Sequence, residues 1–135
     1  MVCSAEIRRD IAQILKFPSL PVGIATWSEP SYSCMYRLRV GRVVLSVEDS
    51  SRLASGRSYF DRLRGTLDPT RRLRGLAAFG LPAYESTDGK VVFLKDGKTL
   101  SVDTTRLASR TIPDQQSRAD VAYAIAADVI GCWSE

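Results

Sequence analysis

The chain has 135 residues, 44% of them apolar and 25% charged, with a formal net charge of +4 and no histidine. That is the size and composition of one globular domain spanning residues 1–135, large enough to bury a core without staples and neither disordered nor fibrous. No apolar run approaches the roughly 18 residues that cross a bilayer. The missing histidine excludes serine–histidine and cysteine–histidine nucleophiles and removes the commonest acid–base group near neutral pH.

Ser4 is placed to cap a first helix, with Glu6 in its first turn and Ile7, Ile11, Ile14 and Leu15 forming one buried stripe; Pro18 and Pro21 end it. A short strand over Val22 to Trp27 precedes the turn Ser28-Glu29-Pro30-Ser31. The next stretch alternates with period two, so Tyr32, Cys34, Tyr36, Leu38 and Val40 face one way and Ser33, Arg37 and Arg39 the other. Cys34 then points inward. Gly41-Arg42 reads as a tight connection to a strand over Val43 to Glu48.

Asp49 or Ser50 is expected to cap a second helix that buries Leu53, Phe60 and Leu63 and stops near Gly65. Residues 66–82 form a long connection, with a helical turn expected around Leu73 to Ala78. Two Asp-Gly pairs, Asp88-Gly89 and Asp96-Gly97, separate three further strands at Ala83 to Ser86, Lys90 to Lys95 and Lys98 to Thr104. After an irregular stretch ending at Pro113, Asp114 or Ser117 caps a last helix burying Ala122, Ile125, Ala126, Val129 and Trp133. The expected architecture is α+β in the order α-βββ-α-βββ-α, a curved antiparallel sheet of about five to six strands with helices mainly on one face.

Little in the chain points to chemistry. No GxxxxGK[ST] or GxGxxG phosphate loop is present, and the adjacent acids Glu48-Asp49 read as a strand end before a helix cap rather than as an acid pair. Three cysteines, Cys3, Cys34 and Cys132, are far apart and without histidine partners, so neither a metal nor a cofactor is expected. One disulfide plus one odd thiol is the better reading, and Cys3 to Cys34 and Cys34 to Cys132 both remain open.

Basic charge is concentrated in the first half, most densely at Arg71-Arg72-Leu73-Arg74, which makes Arg71, Arg72 and Arg74 candidate binding residues. Trp27, Tyr36 and Phe79 are candidates for lining a ligand groove. Nucleic acid is not favoured: the RNP-type consensus is absent, and the arginines and aromatics of Tyr36-Arg37-Leu38-Arg39 face opposite ways on a strand.

Several stretches together resemble small secreted proteins and lipoproteins of the actinobacterial cell envelope. They are Cys3-Ser4-Ala5-Glu6-Ile7, Ala25-Thr26-Trp27, Tyr32 to Leu38 with Val44-Leu45-Ser46-Val47, Tyr59 to Arg64, Val91 to Leu100 with Val102-Asp103, and Cys132-Trp133. The resemblance covers nearly the whole chain and implies export, an export or lipid-anchor segment upstream of Val2, and an oxidised cysteine pair, for which it favours Cys3 to Cys34. The chain itself has no lipobox, so a membrane is expected only through an anchor absent from it.

The expected function is a non-enzymatic, extracytoplasmic binding module for a protein, peptide or small ligand. The alternatives are a small envelope enzyme working with carboxylates or arginines, and an electrostatic binder of anionic lipid or nucleic acid through residues 62–74.

Overall fold

The fold is that of a computed structural model, which describes residues 2–50, 52–67 and 69–133. Helix α1 (Ala5–Leu15) begins where the Ile7 amide donates to the Ser4 hydroxyl at 3.2 Å. It buries Ile7, Ile11, Ala12 and Leu15, the i, i+4 and i+8 row expected of one helical face. Strands β1 (Gly23–Ser28), β2 (Ser31–Leu38) and β3 (Gly41–Asp49) form a meander of two antiparallel hairpins. The second turn lies at Arg39-Val40, because Leu38 already faces Gly41. Gly41-Arg42 therefore opens β3 instead of connecting to it.

Helix α2 (Leu53–Thr66) is followed by β4 (Thr70–Leu73), a 3₁₀ turn at Gly75–Ala78, and strands β5 (Ala83–Ser86), β6 (Lys90–Lys95) and β7 (Lys98–Asp103). Neither Asp49 nor Ser50 caps α2; Arg52 holds the N-cap position without a side-chain bond. The helical turn expected in the long connection is there, and β4 adds a strand beside it. At the β6–β7 turn Asp96 and Gly97 both have positive φ, 54° and 76°, as the hairpin turn matching strand twist requires. Helix α3 (Arg118–Trp133) starts at a reciprocal cap, in which the Asp120 amide donates to the Ser117 hydroxyl and the Ser117 amide to the Asp120 carboxylate.

All strands belong to one antiparallel, curved, open sheet in the order β1-β2-β3-β7-β6-β5-β4. The two meanders are joined by β3 against β7, with Leu45 opposite Val102 and Val47 opposite Leu100. The sheet has seven strands, more than the five to six expected, because Thr70 to Leu73 pair with Ala83 to Ser86.

Helices α1 and α3 cover one face. They pack on Cys34 and Tyr36 of β2, Val43 and Leu45 of β3, Leu100 and Val102 of β7, and Val91 and Phe93 of β6. Helix α2 covers part of the other face through Phe60, which meets Tyr84, Val92 and Leu94. Its approach depends on Gly56, since a Cβ there would lie 2.0 Å from the Gly97 carbonyl oxygen. Leu53, expected in the buried stripe, is 73% exposed, because its helical turn overhangs the Gly97 turn and not the sheet. Among the described residues no helix is long and apolar enough to cross a membrane.

Cys3 and Cys34 form a disulfide with Cα atoms 5.4 Å apart, tying the start of α1 to β2. Cys132 stays outside it; its thiol lies 3.6 Å from a Glu6 carboxylate oxygen.

Candidate functional site

The chain's densest basic charge is presented at the β4 edge of the sheet. Antiparallel pairing sets Arg72 opposite Tyr84 and Arg71 opposite Glu85, so alternation sends the two neighbouring arginines to opposite faces. Arg71 makes an ion pair with Glu85 on the face that α1 and α3 cover. Arg72 turns to the α2 side, where one helical face presents Arg57 and Arg64 toward it. Arg74 joins them just after the strand.

These four arginines line a cleft of about 320 Å³. Phe60, Tyr84 and Leu81 form its apolar part, and Gly75 and Gly80 bring backbone to its rim. No carboxylate is among the described residues that line it. Arg57 is partly neutralised by Asp61 at 3.3 Å and lies over the Phe60 ring, 5.9 Å from its centroid. The floor is firmly held. Phe60 and Tyr84 pack with their rings tilted at 53° and their centroids 4.9 Å apart, and the Tyr84 hydroxyl donates to the Phe60 carbonyl at 3.1 Å. Burial drives the Tyr84 phenol pKa up, so it stays a neutral donor.

Such a site suits a phosphate, sulfate or carboxylate. Guanidinium groups bind these anions in planar, two-pronged fashion, and an apolar wall strengthens the interaction by displacing water.

The other sequence candidates are scattered. Tyr36 is fully buried beneath α1, where its hydroxyl donates to the Val2 carbonyl and burial pushes its pKa up to about 12, so it belongs to the core and lines no groove. Trp27 lies on β1, the opposite edge of the sheet from β4, with its ring 5.7 Å from Tyr32 over a shallow depression of about 190 Å³. Phe79 is 49% exposed and packs against Phe93, outside the arginine cleft. Of the six candidate binding residues only Arg72 and Arg74 share a site.

From sequence Arg64 entered only as part of the basic stretch 62–74, and Arg57 was not singled out. The signal that joins Arg57 to Arg64 is the i, i+7 spacing that sets both on one face of the helix directly preceding the strand of Arg72. An apolar groove of about 440 Å³ also runs between residues 17–22 and the β2–β3 turn. Among the described residues no three His, Cys, Asp or Glu side chains converge as a metal site would need. Comparison of the chain with protein-family models, curated proteins and solved structures finds no match.

Proposed function

We propose that this protein is a non-enzymatic binding module of the extracytoplasmic cell envelope and that it holds an anionic group of its ligand in the arginine cleft. The observation that carries the reading is the convergence of Arg64, Arg72 and Arg74, from a helix and a strand edge, on an apolar floor without a lining carboxylate. Like charges gathered from separate elements repel one another, and a bound anion relieves that repulsion. The Cys3–Cys34 disulfide supports an oxidising compartment.

Titration with inorganic pyrophosphate, and separately with vesicles containing anionic lipid, followed by NMR shifts of the arginine side chains, tests the reading. Binding is expected to weaken as salt rises and to fall about tenfold or more in Arg72→Ser or Arg74→Ser, the loss of one charge-assisted contact. Arg71→Ser is the internal control, because Arg71 carries the same charge nearby but pairs with Glu85 on the other face. If Arg71→Ser weakens binding as much as Arg72→Ser, the attraction is a diffuse surface effect and the cleft is not the site.

A further inference from the structure

The two edges of the sheet are built differently. β4 carries two exposed arginines in four residues, an arrangement that discourages pairing with another strand. β1, Gly23-Ile24-Ala25-Thr26-Trp27-Ser28, has no charge and no proline, and it exposes Ile24 at 46% and Trp27 at 63%. Its backbone is equally open. The Asp49 amide donates to the Pro30 carbonyl, which fixes the even residues of β2 as those turned toward β3 and the odd ones as those turned toward β1. Ser31, Ser33 and Met35 therefore bond Ser28, Thr26 and Ile24, and Gly23, Ala25 and Trp27 turn their N–H and C=O groups outward.

We infer that β1 pairs with β1 of a second copy of this chain, antiparallel about a two-fold axis at Ala25, to make one continuous sheet across a homodimer. Three observations select a second copy over an unrelated strand. The outward-turned Ala25 sits at the middle of the outward set, so a two-fold there lets each copy satisfy the other's Ala25 N–H and C=O. In that register Ile24 lies opposite Thr26 of the second copy, a β-branched pair, and Trp27 lies opposite Gly23 of the second copy, whose side-chain space Cys34 and Tyr36 already fill.

The ends are also complementary. Arg37 and Arg39, both exposed, flank the Gly23 end, while the exposed Glu29 occupies the turn beyond Ser28. Antiparallel pairing brings the basic end of each copy to the acidic tip of the other, whereas parallel pairing would set like charges together. This inference is independent of the arginine cleft, which lies at the opposite edge.

Sedimentation of the full chain from low to several hundred micromolar tests it, together with two variants. The weight-average mass is expected to rise toward twice the monomer mass. Ala25→Pro removes an outward amide but none that bonds β2, and it is expected to remain monomeric with an unchanged far-UV spectrum.

A second variant does not depend on tolerance of proline. With dissolved oxygen as the oxidant, Ile24→Cys chains mixed with Thr26→Cys chains, both in a Cys132→Ser background and with their thiols on the face away from Cys34, are expected to form a mixed intermolecular disulfide at least about tenfold faster than Arg62→Cys chains, whose cysteine would sit on the exposed side of α2. A chain that stays monomeric at every concentration overturns the inference. So does mixed cross-linking between positions 24 and 26 no faster than at 62, or protection of the β1 amides by a co-purifying peptide while the chain is monomeric.

Discussion

Replacing Tyr36 with Phe removes one hydroxyl and leaves the Val2 carbonyl without its buried donor. The expected cost is about 1–3 kcal/mol, the penalty for an unsatisfied buried acceptor, read as a lower urea midpoint with an unchanged slope. The same residue shows how two sequence arguments can conflict. Alternation along β2 placed Tyr36 on the face of Cys34, inside, while its aromatic character suggested a groove; the pleat decided, because a side chain on the packed face cannot also be wet. Arg71 and Arg72 were indistinguishable as members of a basic run. Only knowing that they occupy a strand separates a residue held by Glu85 from one lining a cleft.

At the scale of elements, the packing of α1 on α3 carries a pH dependence. Burial, and then the nearby Asp10 on α1, raise the pKa of the Asp128 carboxyl on α3 above its ordinary value of 3.8. A raised carboxyl means that the folded chain binds the proton more tightly than the unfolded one. The stability it contributes is fully present below pH 3.8 and is lost as pH rises through the shifted value. Asp128→Asn should therefore melt at a higher temperature than the natural chain at pH 7, and the difference should shrink as the pH falls below 4, measured by thermal unfolding across that range.

Element by element, the helices and Asp-Gly hairpins were legible in the sequence because their signals are local: a capping hydroxyl, an apolar stripe, a turn that demands positive φ. β4 was not. Its four residues, Thr70-Arg71-Arg72-Leu73, lack an apolar alternation, and pairing with β5 is what makes them a strand. Leu53 failed for the related reason that helical periodicity defines a face but not how far the underlying sheet extends.

For the molecule as a whole, the Cys3–Cys34 bond closes a 31-residue separation and joins the first helix to the middle of the first meander. The chain-entropy account makes it worth about 3–4 kcal/mol, so the double variant Cys3→Ser, Cys34→Ala should lose that much in denaturant unfolding. A loss well under 1 kcal/mol would mean that α1 is held by Ile7, Ile11 and Leu15 alone.

The sequence by itself determined the α+β class, that Cys34 faces inward and that the chain supplies no histidine, since each follows from composition or from the period of its segments. Tertiary structure decided that β3 and β7 join two meanders into one sheet. It also decided that Arg57 and Arg64 meet Arg72 and Arg74, and that the densely basic edge lies opposite an uncharged one. Those outcomes depend on pairings between separate segments, whose register is set by mutual burial, and no local pattern in either partner carries that information.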